Sequence, residues 1–195
     1  MEVTLENNNF EKLRREKVGK PLLWIALISI IMFFAGLTSA VVVRMSDGNW
    51  MQFEMPRMFL YSSIIIFISS ISMHFALMLA KRDRSEMVKI PSIITLGLGL
   101  LFTITQILGY GELIAEGIYF TGPGHNDSAS YVYVISAVHL LHLIGGMVAL
   151  SIVVFHALKA SYNSKNLLGL QLCSTYWHFL GALWIYLYVF FSVVI

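Results

Sequence analysis

Long apolar stretches separated by short polar segments form the dominant pattern of this chain. Five stretches qualify, at residues 22–43, 58–80, 90–113, 131–158 and 169–195. A helix needs about 20 apolar residues to cross the hydrocarbon core of a bilayer, and each stretch is long enough to do so. None of them shows the strict alternation of a strand. The pattern therefore predicts an all-α fold, a polytopic membrane bundle of five transmembrane helices.

The boundaries of the first and third helices are predicted from proline. Pro21 and Pro91 lie at the starts of predicted helices, and a proline in the first turn of a helix loses no hydrogen bond. Residues 1–20 mix Glu with Lys and Arg and are expected to form a polar tail or a surface helix. The apolar run that follows is too long for the h-region of a signal peptide. We therefore expect a tail at 1–20 and one five-helix transmembrane domain at 21–195.

Composition excludes a soluble domain. Hydrophobic residues make up 57% of the 195 residues and charged residues only 12%, whereas soluble domains carry about 25% charged residues. Cys173 is the single cysteine, which rules out a disulfide within the chain. The sequence has no Cys-x-x-Cys-His motif, so covalent attachment of a c-type haem is excluded.

The distribution of basic residues predicts the orientation in the membrane. Lys and Arg are enriched in cytoplasmic segments, and the tail, the second loop and the fourth loop hold eleven of the 13 in this chain. Arg44 and Arg57, in the first loop, are the other two. This asymmetry predicts a cytoplasmic N-terminus and a periplasmic C-terminus. The eleven residues are Lys12, Arg14, Arg15, Lys17, Lys20, Lys81, Arg82, Arg84, Lys89, Lys159 and Lys165.

Small residues at helical spacing predict close helix approach, because small side chains let backbones pack tightly in lipid. In the loops, Asp47-Gly48 and the segment around His125 are each predicted to form a turn. The predicted close-approach positions are Ala35 with Ser39, Gly36 with Ala40, Gly145 with Ala149, and Gly97 with Gly99.

Polar residues inside the spans are the candidate functional positions, because a charge at the bilayer centre costs roughly 2.5–3.5 kcal/mol. Glu112 and Glu116 fall at the outer end of the third helix and can stay ionised there. No carboxylate relay lies within the spans, which argues against an independent proton pump. The polar set inside the spans is His74, Gln106, His139, His142, Gln171 and His178.

Metal binding, haem binding and structural roles are the alternatives for these histidines. His139 and His142 are three positions apart and share one helix face, which suits two ligands of one metal ion. A haem with two histidine ligands needs them on two helices, and His142 with His74 or His178 meets that need only at matched depths. We favour histidines that contact other helices or lipid headgroups, with no metal and no catalytic residue in this chain.

Four segments together resemble subunit III of the haem-copper respiratory oxidases. The last span contains Tyr176-Trp177-His178-Phe179 followed by Trp184, similar to the signature of the family's last helix. The first span, at 29–37, resembles the family segment Ser-Glu-Val-Met-Phe-Phe-Ala-Gly. The third span, with Gly-rich 96–103, Gln106, Tyr110 and Glu112, is similar to Gly-x-x-Phe-Thr-x-x-Gln-x-x-Glu-Tyr-x-Glu. The fourth, at 139–146, matches His-x-x-His-x-x-x-Gly.

The chain departs from this family pattern wherever the family motifs would provide a buried carboxylate. Ile30, Gly109, Gln171 and Gly181 stand at these four positions. Functions that depend on those acids are therefore not carried over to this chain. With five spans in place of seven, it resembles the shorter bacterial form of the subunit.

The resemblance implies an accessory subunit with no active site, haem or copper of its own. It would belong to a cytochrome c oxidase of the aa3 or caa3 kind in a bacterial cytoplasmic membrane, packed on subunit I in a complex with subunit II. A small subunit IV and a respiratory supercomplex are further partners, and nucleic acid is not one. The subunit would bind structural phospholipid and support oxygen reduction coupled to proton pumping. The residues implied to fix the bundle or contact lipid are His139, His142, Tyr176, Trp177, His178, Gln106 and Glu112.

Two alternatives remain open at this point. The same subunit type serves quinol oxidases, and no residue that binds an electron donor distinguishes the two branches. A stand-alone haem b membrane anchor is the more distant alternative, with His74, His142 and His178 as its candidate ligands.

Overall fold

The computed structural model describes residues 2–46, 50–122, 126–159, 162 and 167–195, with side chains from Lys17 onward. The predicted turns at Asp47-Gly48 and around His125 lie outside the described residues, as does Lys165. Within these ranges the chain is helical and contains no strand. Five helices are long and apolar enough to cross a membrane, which confirms the predicted fold class.

The helices extend somewhat beyond the apolar stretches that predict them. They are α1 (Glu2–Met45), α2 (Arg57–Lys81), α3 (Lys89–Ala115), α4 (Asp127–Leu158) and α5 (Leu168–Val194), with a short 3-10 helix at Ser85–Val88 before α3. Helix α4 begins four residues earlier than predicted because Asn126 caps it. The Asn126 side chain accepts a hydrogen bond from the Ser128 backbone N–H, at 3.2 Å.

The predicted start of the first helix is wrong. Helix α1 begins at Glu2, so the polar tail continues the helix and Pro21 lies inside it. Proline has no N–H, and the Lys17 carbonyl therefore loses its usual partner four residues on. Lys17 is exposed, so solvent near the membrane boundary can hydrate that carbonyl. Pro91, in contrast, lies in the first turn of α3, as expected.

Helices α2 to α5 form a closed ring in which α2 and α4 each pack against both α3 and α5. Helix α1 stands outside the ring and packs against α4 and α5. One end of the bundle is tied by Arg44, whose Nη2 lies 2.6 Å from Asp127 Oδ2, and by Trp50, whose Nε1 donates to the Val194 carbonyl at 2.9 Å. Phe53 and Met55, in the same loop as Trp50, also pack against the core.

Close contacts inside the ring at Gly99 and Gly146 confirm one predicted small-residue position, Gly99, and add Gly146, which was not predicted. A Cβ on Gly99 would lie 2.6 Å from Met147 Sδ and 2.8 Å from the Trp177 ring. A Cβ on Gly146 would lie 2.9 Å from Leu180. Gly36, Gly97 and Gly145 face open space instead, and Ala35, Ser39 and Ala40 are exposed. The predicted small-residue faces of α1 therefore do not pack within this chain.

Replacing Gly99 by alanine should destabilise the bundle, and replacing Gly97 should not. We expect Gly99→Ala to lower the free energy of unfolding by about 1–3 kcal/mol, because the rigid Trp177 ring must move. Gly97→Ala should be neutral or slightly stabilising, since alanine is the better helix former. Unfolding by SDS in mixed micelles, followed by circular dichroism, measures both. Equal stability of the two variants would contradict the packing described here.

Candidate functional site: a histidine and tryptophan cluster between the helices

Trp184 of α5 touches every other helix of the ring. Its ring centroid lies 5.4 Å from that of His139 on α4, 5.4 Å from Phe102 on α3 and 5.6 Å from Phe59 on α2. The two phenylalanine rings meet it nearly edge-on, the arrangement that aromatic quadrupoles favour. Trp184 is fully buried, so its indole is enclosed among the four helices of the ring.

His139 is enclosed by aromatic rings. Phe34 of α1 and Phe102 of α3 lie 6.3 Å and 6.2 Å from its ring centroid, in addition to Trp184. The side chain is 1% exposed, and neither ring nitrogen has a hydrogen-bond partner among the described residues. Its surroundings are therefore those of a core side chain, and none of its neighbours in this cluster is a metal-ligating group.

His142 lies one turn further along α4 and has a different environment. It is half-buried, its Nδ1 lies 2.8 Å from the Val138 carbonyl, and Phe34 packs 5.7 Å from its ring. Tyr176 of α5 donates its hydroxyl to the His142 backbone carbonyl at 3.1 Å. His139 and His142 both contact Phe34, but their other contacts differ.

Serines of α2 accept hydrogen bonds from the other helices. Trp177 Nε1 donates to Ser69 and Trp184 Nε1 donates to Ser63, each at 3.1 Å. Gln106 Nε2 donates to Ser62 at 2.7 Å. The two tryptophan bonds link α2 to α5, and the glutamine bond links α2 to α3. Two of the candidate residues, Trp177 and Gln106, therefore hold helices together.

His178 also bonds to α2, through its Nδ1 and the Ser70 hydroxyl. It lies in a groove on the outside of the bundle, where His74 is exposed with its ring 6.2 Å from that of His178. The structure thus brings His178 and His74 together but keeps them apart from His139 and His142. In the part of the chain that the structure describes, no group of three or more His, Cys, Asp or Glu side chains is placed to hold a metal ion.

Glu112 of α3 lies at the N-terminal end of α2. Helix α2 begins after Pro56 without a side-chain cap of its own. Glu112 of α3 accepts the Met58 backbone N–H at 3.3 Å and puts a carboxylate near the positive end of the helix. It lines a cavity of about 410 Å³ with Glu54, Arg57 and Glu116.

The serine acceptors were missed by the sequence analysis. A signal was present, because the pairs Ser62-Ser63 and Ser69-Ser70 are seven residues apart on α2, and Trp177 and Trp184 are seven apart on α5. Equal spacing on two helices predicts repeated contacts if the helices pack side by side.

At three of the four positions where the family motifs carry a buried carboxylate, the residue of this chain packs against neighbouring side chains. Ile30 is half-buried against the core, and Gly181 lies against Ile66. At Gly109 any side chain would overlap the Phe59 ring. Local packing therefore leaves no room at Gly109 for an acid.

Comparison with known proteins finds one matching family and several similar relatives. The sequence model of the family described as cytochrome c oxidase subunit III matches residues 23–194. Cytochrome c oxidase subunit 3 of Mus musculus is 30% identical over 183 residues, and that of Sus scrofa 32% identical over 183 residues. Each alignment covers 84% of this chain and 64% of the relative, so the chain spans less than two thirds of their length. Cytochrome bo(3) ubiquinol oxidase subunit 3 of Buchnera aphidicola is 27% identical over 173 residues, covering 86% of this chain and 82% of the relative.

A double-mutant cycle on Trp184 and Ser63 should reveal direct coupling. We expect Trp184→Phe and Ser63→Ala to show an interaction energy of about 0.6 kcal/mol, the average for hydrogen bonds between transmembrane helices. Unfolding in mixed micelles measures each variant. Ser151, whose hydroxyl bonds only within α4, gives the control: Trp184→Phe with Ser151→Ala should be additive. A Trp184–Ser63 coupling of zero would show that this bond does not stabilise the bundle.

Proposed function

Because this chain belongs to the cytochrome c oxidase subunit III family, we propose that it is the accessory, non-catalytic subunit of a membrane-bound haem-copper oxidase. One observation carries the proposal. Three of the candidate residues inside the spans, Trp177, His178 and Gln106, each bond to a serine of α2 and so join two helices. Side chains used in this way favour a scaffold over a catalytic centre.

The proposed partners are the catalytic subunit I, against which the chain packs, and subunit II. A small subunit IV and a larger respiratory assembly are compatible with the same proposal. The complex would reduce oxygen and couple that reaction to proton pumping, while this chain binds structural phospholipid and holds the assembly together. His139, His142, Tyr176, Trp177, His178, Gln106 and Glu112 are the residues to which we assign the fixing of the helices.

We propose that the chain functions as one transmembrane domain in a bacterial cytoplasmic membrane with its N-terminus in the cytoplasm. The described basic side chains support this orientation. Lys20, Lys81, Lys89 and Lys159 lie at one end of the bundle, and Arg44 and Arg57 lie at the other. The end with more Lys and Arg is the cytoplasmic one under the positive-inside rule.

A quinol oxidase is the second candidate, favoured by the ubiquinol oxidase relative. The alignment with that relative covers 82% of its length, compared with 64% for the two cytochrome c oxidase relatives. The electron donor is decided by the partner subunit II, where a dinuclear copper motif would identify a cytochrome c oxidase.

Purification through a tag on this chain tests the proposal. In mild detergent we expect haem to co-purify, to show in a reduced-minus-oxidised spectrum, and to leave with a large subunit when the partners are stripped. Haem that stays with this chain alone would overturn the proposal in favour of a haem b anchor. His74, His142 and His178 would then be the ligands to test.

Replacing His142 and His178 by leucine should weaken assembly without changing the haem. The double variant loses the Ser70 bond and the polar ring beside Phe34, so we expect faster loss of the subunit in detergent or a shorter turnover lifetime. The haem spectrum of the remaining complex should be unchanged. His156→Leu is the matched control, because His156 is exposed and its Nδ1 also contacts only a carbonyl of its own helix. A lost haem signal in an assembled complex would contradict the structural role.

A further inference from the structure

His178 of α5 carries a hydrogen-bond donor that none of the described residues uses. Its Nδ1 bonds to the Ser70 hydroxyl, and Ser70 makes no bond to a carbonyl of its own helix, unlike Ser62 and Ser63. The serine hydrogen is therefore available to Nδ1, and it would lack an acceptor if Nδ1 donated instead. A neutral imidazole that accepts at Nδ1 carries its proton on Nε2. The Nε2–H is thus left as a donor, and it is not among the enclosed polar atoms of the bundle.

The bonded serine and histidine line a cavity of about 190 Å³ between α2 and α5. Ile66 and Gly181 are buried in its wall, whereas Phe67, Ala182 and Ile185 are exposed, so the cavity opens towards the surrounding membrane. Apart from the serine and the histidine, every described residue that lines it is apolar, and none is charged. Such a cavity fits an uncharged molecule with an apolar body and at least one acceptor atom.

The cavity lies near the middle of the membrane. At 1.5 Å per residue, Ser70 is about 17 Å along α2 from Lys81 and about 20 Å from Arg57. Half of the hydrocarbon core is about 15 Å thick, and the polar groups of phospholipids lie outside that core. A phospholipid phosphate or ester therefore lies too far away to accept from His178. The acceptor must belong to a molecule whose polar atoms enter the hydrocarbon itself.

We propose that this cavity binds a membrane quinone, with one quinone carbonyl oxygen accepting a hydrogen bond from His178 Nε2–H. A quinone ring is flat and uncharged, carries two carbonyl acceptors, and has an apolar isoprenoid tail that can extend into the bilayer. Gly181 and Ala182 leave room for a flat ring, and Phe67 adds an aromatic ring at the opening. The inference rests on the proposed function in placing the chain in a respiratory membrane.

The oxidised form of the quinone is the expected ligand. A carbonyl oxygen accepts a hydrogen bond and has no hydrogen of its own to place, which matches a site that offers one N–H donor. The reduced form would bring hydroxyl hydrogens into a cavity whose imidazole acceptor, Nδ1, is already bonded to Ser70. The quinone is held as a ligand, and no redox step is assigned to this chain.

Photolabelling tests the site directly. The complex purified through a tag on this chain is placed in phosphatidylcholine nanodiscs and illuminated with an azido-quinone, and the labelled peptides are identified by mass spectrometry. We expect saturable labelling of residues 66–70 and 178–185. Excess unmodified quinone should displace the label, and an equal excess of phosphatidylglycerol should not.

His178→Phe keeps a ring of similar size and removes the donor. We expect it to weaken quinone binding by roughly fivefold, the effect of one lost hydrogen bond. The infrared carbonyl band of a ¹³C-labelled quinone should lie at lower frequency in the wild-type complex and lose that shift in the variant. His74→Phe is the matched control, because His74 is exposed, lies beside His178 and does not line the cavity. It should keep both the affinity and the carbonyl shift.

Gly181→Leu tests the cavity without touching the histidine. A Cβ at Gly181 would lie 3.5 Å from Ile66 Cγ1, an ordinary contact, so the leucine can enter the cavity and occupy it. We expect this variant to lose the saturable labelling. Gly145→Leu is its control, because a Cβ at Gly145 meets nothing within 4 Å, and it should be labelled like the wild type.

Three results would overturn the inference. Labelling that does not saturate would show that no quinone site exists, and displacement by phosphatidylglycerol would identify the occupant as phospholipid. Equal loss of the carbonyl shift in the His178 and His74 variants would show that His178 is not the donor. Each of these results leaves the proposed function intact if haem still co-purifies with a large subunit. Failure of that co-purification, with saturable labelling retained, would overturn the proposed function and leave the quinone site standing.

Discussion

The four-helix ring depends on the indole of Trp184, the one side chain described above that meets all three other helices of the ring. In lipid, apolar surfaces are not driven together by water, so helix association relies on close packing and on hydrogen bonds between helices. Trp184 supplies both, because its ring fills the centre and its Nε1 bonds to Ser63. Trp177 repeats the arrangement two turns away with Ser69.

Helix number and position could be predicted from the sequence because the thickness of the hydrocarbon core sets how long each apolar run must be. The runs alone did not show where α1 begins, since Pro21 marked a boundary that the helix crosses. Of the predicted glycines Gly99 makes a close contact, Gly36, Gly97 and Gly145 do not, and the close contact at Gly146 was not predicted. Which side of a helix faces its neighbour is set by packing of the whole bundle.

The candidate residues illustrate the same limit. Their presence inside apolar spans identified His139, His178 and Gln106 as residues that need an explanation. Their environments differ sharply, since His139 is enclosed by aromatic rings, Gln106 bonds to a serine and His178 lies in an outer groove. These differences depend on how each helix is rotated and shifted relative to its neighbours. No short sequence motif specifies that arrangement.

The α2 serines have a consequence for how the protein is made. Ser62 and Ser63 donate their hydroxyl hydrogens to the Phe59 carbonyl of their own helix and accept from Gln106 and Trp184 with their remaining lone pairs. Their donors are thus satisfied before any partner arrives. During synthesis α2 leaves the ribosome well ahead of α5. It can then remain in the bilayer with no unpaired hydroxyl donor at these two positions. The last helix then docks onto acceptors that are already oriented.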